Sequence, residues 1–392
     1  MTPAARVQSA IEILDAVIEG ARTGAAPADR ILAEWFRNHR FAGSKDRRAL
    51  RDLVYDAIRA CGPVPESGRA AMLRLVETGG VAAELFDGSQ YGPAAIADGE
   101  KSAEGGFASE WLVAELAASG VNETAGAAML NRAPLDLRVN TLKTTRDAVT
   151  LPVETEPTVA PNGLRLQAHA PVENWAEYRD GLVEIQDTGS QLACLSAGAA
   201  PGESVIDLCA GAGGKTLQLA ARLGNEGAIL ACDVDRKRLS NLPPRVERAG
   251  VANVAARLLD PGKELDMLAD VAGEADLVLV DAPCSGSGTW RRKPDTRWRL
   301  SPERIEAFAK TQDTLLDIAA ALVRPGGRVH FVTCSLLDAE GKDRATAFLE
   351  RHPDWSALPL ALPAGEARGQ GWRLTPHRDG TDGFFIAGFV SP

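Results

Sequence analysis

Two of the six cysteines in this 392-residue chain stand in short motifs that close apolar runs. Cys284 lies in DAPCSGSG (281–288) and Cys334 in VTCS (332–335). A single cysteine is more often a small buried apolar residue than a reagent, and Cys61, Cys194 and Cys232 fit that description. Two cysteines at the ends of successive strands, with Asp281 opening the first motif, fit chemistry better. A thiolate is a strong nucleophile, but a free thiol is only a few per cent ionised near neutral pH, so nearby amides or cations must lower its pKa. Added to carbon 6 of a cytosine, a thiolate turns the unreactive ring into an enamine that attacks an electrophilic methyl group through carbon 5. Asp281, protonated or hydrogen-bonded to the ring, would stabilise charge developing at N3. A base must then take the carbon 5 proton so that the thiol can leave. A target base must also leave its stack to enter such a pocket, which costs least in a loop or single strand.

A third motif, DLCAGAGGKTLQLA (207–220), is a strand end, a glycine-rich turn and a helix start. Glycines let the backbone approach a ligand and adopt positive φ, and the helix N-terminus presents free amides. A nucleoside triphosphate loop of the form GxxxxGKT requires glycine where Cys209 stands, and a dinucleotide fingerprint begun at Gly211 requires glycine or alanine where Thr216 stands. Both patterns are weakened, which leaves S-adenosylmethionine. Asp233 ends the next strand, where a carboxylate can hold ribose hydroxyls, and Asp260 follows the third strand, placed to meet the adenine edge.

The elements that must position these residues are legible as strand, glycine turn and helix in repetition. Candidate strands are 204–207, 228–233, 254–258, 276–281 and 328–333, separated by helical stretches at 215–223, 235–249, 302–323 and 338–351, with a late strand in GFFIAGFV (383–390). This alternation predicts one α/β domain over 187–392, a doubly wound and mainly parallel Rossmann-like sheet. Ligands of such sheets bind beyond the carboxyl ends of the strands where strand order reverses, so the residues after 207, 233, 260, 281 and 333 should gather at one edge. Before this region, residues 126–186 predict a small α/β module with β-type alternation in LDLRVNTL, and residues 1–125 predict a helical domain, irregular over 80–106.

Composition bounds the remainder. Hydrophobic residues make up 45% and charged residues 24%, the balance of a globular protein. There is no long apolar run and no zinc-type cysteine spacing, so neither a membrane nor a metal is expected, and free thiols fit a cytoplasmic location. A net charge of −10 argues against a generic nucleic-acid binder, but RNHRFAGSKDRRALR (37–51) and RRKPDTRWR (291–299) are locally basic. The second follows the Cys284 loop directly, which makes Arg291, Arg292 and Lys293 candidates for holding an RNA backbone. Most such runs are solvated faces. Trp290 and Trp298 are each candidates for base stacking or for core packing.

With these motifs in place, the chain resembles the Sun/Fmu-type (RsmB-like) RNA cytosine-5 methyltransferases. The resemblance runs from about Gln186 to the end through QDTGSQLA, CAGAGGKT, DVDRKRL, DAPCSGSG, RRKPD, TCS and DGFF. DLRVN (136–140) looks like the family's RNA-contacting module, and RVQSAIEIL with KDRRALRDLVYDAIR is similar to a NusB-type domain. The resemblance implies that Cys334 is the nucleophile and that Cys284 assists product release. It implies cofactor contacts at Cys209, Ala210, Gly211, Ala212, Gly213, Gly214 and Lys215 with Asp233, Asp260 and Asp281, and RNA contacts at Arg138 and Asn140. The chain departs from the family in having Gly211-Ala212 where Ala-Pro is usual. The implied activity is S-adenosylmethionine-dependent methylation of carbon 5 of cytosine in RNA, with ribosomal RNA as partner and a monomeric enzyme. Two other readings stand beside it. A non-catalytic RNA-binding assembly factor would have no need of both thiols, and DNA cytosine methylation would take its nucleophile from the Pro-Cys position.

Overall fold

The computed structural model describes residues 1–167 and 170–392. They form two compact units, Met1–Asn131 with Thr289–Ser301, and Arg132–Gly288 with Pro302–Pro392.

The first unit is helical. Helix α1 (Pro3–Thr23) starts where the Thr2 hydroxyl accepts the Ala5 amide and stops at Gly24, which takes a left-handed φ of 73°. Its stripe of Val7, Ile11, Leu14 and Ile18 is buried against Leu50, Val54 and Ile58 of α3 (Ser44–Ala60) and Met72 of α4 (Gly68–Glu77). Helix α2 (Ala28–Asn38) adds Leu32 and Phe36 to the same core. Glycine is required where α4 begins, because a Cβ on Gly68 would lie 2.2 Å from the Ile11 carbonyl oxygen.

The stretch Thr289–Ser301 belongs to this helical unit, which corrects the expectation of one continuous domain over 187–392. The Asp295 carboxylate accepts the Ala28 amide at the start of α2. The Arg297 guanidinium donates to the carbonyls of Ile58 and Cys61 at the end of α3. Trp298 is buried in the helical core and donates its indole N–H to the Gly62 carbonyl. A sequence-contiguous segment therefore serves as a cap and wedge for helices more than 200 positions away.

The second unit holds two sheets. The smaller is antiparallel in the order β2 (Thr155–Pro157), β3 (Gly163–Leu166), β1 (Leu135–Val139), β4 (Val183–Ile185). Alternation in β1 sends Leu137 and Val139 into a core with Leu164, Leu166 and Trp175, and leaves Asp136 and Arg138 on the other face. The larger sheet has a parallel centre of β5 (Ser204–Asp207), β6 (Ala228–Asp233), β7 (Val254–Leu258), β8 (Ala275–Asp281) and β9 (Val323–Thr333) in the order 9-8-5-6-7.

An antiparallel edge of β10 (Ser356–Leu358), β11 (Glu366–Arg368), β12 (Gly371–Leu374) and β13 (Phe384–Val390) continues beyond β9. Helices cover both faces, which is why Leu277 to Val280 of β8 are a continuous apolar run with no exposure. On one face the helix Pro302–Leu322 contributes Leu316, Ala319 and Leu322 and the helix Lys342–Arg351 contributes Ala345 and Phe348. On the other lie Leu192 and Ala193 of Thr188–Leu195 and Leu217 and Ala220 of Gly214–Arg222. Strand order reverses between β5 and β8, so Asp207, Asp281 and the residue after Thr333 share one edge.

Candidate active site

The glycine loop leaves β5 and turns into the helix Gly214–Arg222. Gly211 and Gly213 hold φ of 56° and 87°, and a Cβ on Gly213 would lie 2.2 Å from the Leu242 side chain, so both the turn and the close approach exclude larger residues. Asp233 fixes the loop from the neighbouring strand, its two oxygens accepting the amides of Gly211 and Asp235, each at 2.7 Å. Arg245 fixes it from the far side, donating to the Ala212 carbonyl and to Glu184 of the small sheet. The departure from Ala-Pro to Gly211-Ala212 therefore leaves a loop held on both flanks. Asp260 is exposed at the end of the β7 segment, and its amide is 3.1 Å from the Met267 sulfur.

A cleft of about 330 Å³ opens beside this loop, with Gln186, Asp187, Asp207, Lys215, Asp281 and Phe384 in its lining. Lys215 bonds Asp281 at 2.7 Å and lies 5.5 Å from the centre of the Phe384 ring. Burial works against the lysine's charge, but the Asp281 carboxylate outweighs it and raises the Lys215 pKa above the ordinary value. Asp207 is almost fully buried. Desolvation pushes its pKa up to about 7, opposed by the Thr216 hydroxyl at 2.6 Å and reinforced by Asp281. Its Oδ1 is buried without a hydrogen-bond partner, an acceptor that the protein's own donors leave unused.

The two motif cysteines meet. Cys284 Sγ and Cys334 Sγ are 3.3 Å apart, and both residues are half-buried. The contact with Cys334, together with burial, holds the Cys284 pKa well above an ordinary thiol. The other thiols are inert by contrast: burial pushes Cys61, Cys194 and Cys232 up to about 12 and raises Cys209 strongly. Cys209 therefore enters the cleft wall as a small apolar group rather than a reagent.

The residues expected to touch RNA divide into two sets. Arg138 and Asn140 are each 4% exposed. Asn140 spends its amide on the carbonyls of Gly181 and Ala249, tying the small sheet to the end of the helix Leu242–Ala249. Arg138 faces away from the small core beside Cys194 and Glu184 and is shut off from solvent. Arg291 is buried within the helical unit at 6% exposure. For these three the expectation of RNA contact is corrected: burial leaves them no surface to offer. Arg292 is half-buried and Lys293 exposed. Trp290 and Trp298 are core residues, at 0% and 6% exposure.

Sequence reasoning did not single out Asp207, Asp187 or Phe384. The signal for the last two was present in QDTGSQLA and DGFF: the Asp187 carboxylate accepts the amides of Gly189 and Asp382 and so joins the two motifs. Among the described residues, no group of three or more His, Cys, Asp or Glu could hold a metal ion, and no helix is long and apolar enough to cross a membrane.

Residues 196–390 match the family profile of 16S rRNA methyltransferase RsmB/F. The chain is 34% identical over 276 residues to the probable ribosomal RNA small subunit methyltransferase B of Synechocystis, covering 66% of this chain and 61% of that protein. It is 35% identical over 234 residues to ribosomal RNA small subunit methyltransferase B of Xanthomonas campestris, covering 59% and 53%. The chain thus spans less than two thirds of the length of these relatives.

In fold it is similar to PH0851, with TM-score 0.74, 24% identity and 99% of both chains covered. It is also similar to a methyltransferase homologue of Pyrococcus horikoshii, with TM-score 0.60, 27% identity, and 72% of this chain and all of that one covered. NSun6 of Pyrococcus horikoshii with SFG matches in fold with TM-score 0.60 at 19% identity, covering 67% and 92%.

Proposed function

The chain belongs, through residues 196–390, to the Sun/Fmu-type RsmB/F methyltransferase family, and from this premise we propose that it methylates carbon 5 of a cytosine in ribosomal RNA using S-adenosylmethionine. The observation that carries the reading is the 3.3 Å contact of Cys334 with Cys284, which lies in a loop that leaves the strand ending at Asp281. The Asp281 carboxylate and its Lys215 partner line the cleft with the glycine loop and Asp207. The fit to the cofactor rests on the open Asp207 Oδ1, an acceptor for its ammonium group, and on a glycine turn that admits a ligand to the backbone. Asp233, whose oxygens retain lone pairs beyond the Gly211 and Asp235 amides, is the candidate for the ribose. Asp260 is the candidate for the adenine edge. When bound, S-adenosylmethionine supplies an electrophilic methyl group to the site.

The protein's own residues do the rest. Cys334, as thiolate, forms a bond to carbon 6, and the displaced π electrons make carbon 5 nucleophilic. Asp281, held by Lys215 at 2.7 Å, hydrogen-bonds the ring so that charge arriving at N3 is met. Once carbon 5 carries its methyl group, a base takes the carbon 5 proton, the C–H electron pair restores the 5,6 double bond, and Cys334 leaves carbon 6 as the thiolate. Cys284, 3.3 Å away, is placed to assist that release. RNA phosphates are met by exposed cations of the 37–51 stretch and by Arg292 and Lys293, and the helical unit is read as NusB-type.

The test is methyl transfer from labelled S-adenosylmethionine to small-subunit ribosomal RNA. Wild type should yield 5-methylcytosine, Cys334→Ala none, and Cys284→Ala a covalent RNA–protein band on a denaturing gel. Activity in Cys334→Ala with loss in Cys284→Ala would reverse the two roles. No labelling by wild type would sink the reading.

A further inference from the structure

Beneath the two cysteine loops lies a carboxylate that the mechanism above does not use. Glu340 is wholly buried. One oxygen accepts the Ser285 amide at 2.7 Å and is approached by the Gln312 amide at 3.5 Å. The other accepts the hydroxyls of Ser285 and of Ser335, the latter at 2.6 Å. Ser285 follows Cys284 and Ser335 follows Cys334, so one carboxylate clasps the residue next to each thiol. Gln312 also donates to the Pro283 carbonyl, on the other side of Cys284, and the Thr333 hydroxyl donates to the Glu340 carbonyl.

The protons in this network are accounted for without one on Glu340. Ser335 Oγ accepts the Leu337 amide, and Ser285 Oγ accepts the Ser287 amide, so both hydroxyl protons are directed to the carboxylate. Ser287 Oγ accepts the Leu336 amide and lies 3.0 Å from Ser335 Oγ, where its own proton is directed. A buried carboxylate facing only donors is held as an anion. Burial raises its pKa above the ordinary carboxylate value, and the bonds from Ser285, Ser335 and Gln312 reduce that rise without reversing it.

We propose that Glu340 is a positioning residue that divides the labour of the two thiols: it locks their loops at contact distance and holds Cys284 as the thiol, so that the sulfur free to react as the anion is that of Cys334. The proposal rests on the methyltransferase reading and deepens it. Two thiolates at 3.3 Å repel strongly, so the pair carries at most one charge. Which sulfur bears it is decided by the fixed charges around them. Glu340 acts on Cys284, and Lys215, paired with Asp281, is the cation that feels Cys334. The carboxylate thus disfavours the anion on one sulfur while the ammonium stands near the other.

Alkylation reads this division directly, because iodoacetamide consumes the thiolate. The full-length protein is treated with limiting iodoacetamide from pH 6 to 9, and the ratio of modified Cys284 to modified Cys334 is measured by peptide mass spectrometry. Wild type should be modified chiefly at Cys334. Glu340→Gln should raise the ratio by about tenfold, the scale of one removed neighbouring charge. Glu340→Asp, which loosens the clasp but keeps the charge, should leave Cys334 preferred. An unchanged ratio in folded Glu340→Gln, or an equal rise in Glu340→Asp, overturns the charge role. If Glu340→Gln does not fold by circular dichroism, Ser285→Ala with Ser335→Ala takes its place. Removing two donors favours the protonated carboxyl, so the ratio must rise again, and no rise overturns the proposal. Preferential modification of Cys284 in wild type would instead refute the assignment of Cys334 as nucleophile, a separate failure.

Discussion

Asp207 shows how far burial moves the titration of an ordinary carboxyl. Its pKa, pushed up to about 7 by desolvation, means that the folded protein binds a proton that the unfolded chain releases near pH 4. The contribution of Asp207 to stability is thus full below about pH 4 and is lost as pH rises through about 7. A shift of this size corresponds to at most about 4 kcal/mol. Asp207→Asn should flatten the fall in stability between pH 5 and 8 in urea titrations. The same group should make cofactor binding depend on pH, because an ammonium paired with Asp207 favours the ionised form. Affinity for S-adenosylmethionine should rise by up to about tenfold per unit from pH 5.5 toward 7 and then level off. Calorimetry in buffers of different ionisation enthalpy should find a proton released on binding, and none for Asp207→Asn. If wild type releases no proton, Asp207 does not meet the ammonium.

Strands were legible in the sequence where short apolar or β-type runs alternate with glycine turns and helical stretches, through the buried β5, β6 and β8 and the half-exposed edge strand β7 alike. The expected strands 204–207, 228–233 and 254–258 coincide with β5, β6 and β7, and DLVLVD forms β8 with one residue added at its start. The edge strands β10, β11 and β12 were not foreseen. SAL, EAR and GWRL are three or four residues long without alternation, and they are strands because β13 and then one another offer partners. The site was legible in the same uneven way. Cys284, Cys334 and the glycine loop stand in contiguous motifs, whereas Glu340 matters only because donors from two loops and a distant helix converge on it.

The wedge of Thr289–Ser301 was illegible for a related reason: its partners are α2 and α3, far away in the chain. Its energetics are testable at this scale. Trp298→Ala should cost about 3–5 kcal/mol, as expected for a buried indole in a packed core. Hydrogen exchange should show weaker protection in α1 and α3 first, and weakening confined instead to the strands of the large sheet would place the wedge elsewhere.

For the whole molecule, the proposed function asks how a chain with a net charge of −10 would hold a polyanion. The surplus of acids must be overcome locally, and the turn between α2 and α3 is where cations collect on the surface. Arg37, Arg40, Lys45, Arg48 and Arg51 are exposed there, and Phe41 is 69% exposed among them. The aromatic side chains behind it are ordered: Trp35 stacks on His39 at 4.0 Å, and Phe41 meets the His39 ring edge-on at 5.7 Å. Arg47 is different, since its guanidinium donates to the carbonyls of Phe36 and Ala42 and so fixes the turn. Cations and a presented aromatic ring make separable contributions to binding single-stranded RNA.

Charge reversal at Arg37, Arg40 and Lys45 should weaken binding and flatten the plot of log affinity against log salt by about 0.7 for each phosphate that the protein no longer neutralises. Phe41→Ala should instead cost about 1–3 kcal/mol, the range for stacking a base on an aromatic side chain, and leave that slope intact. Fluorescence anisotropy of a labelled ribosomal RNA fragment, measured over a series of potassium chloride concentrations, separates the two. If the charge reversals keep the wild-type slope and Phe41→Ala keeps its affinity, the 37–51 face is a solvated one and the RNA is held elsewhere.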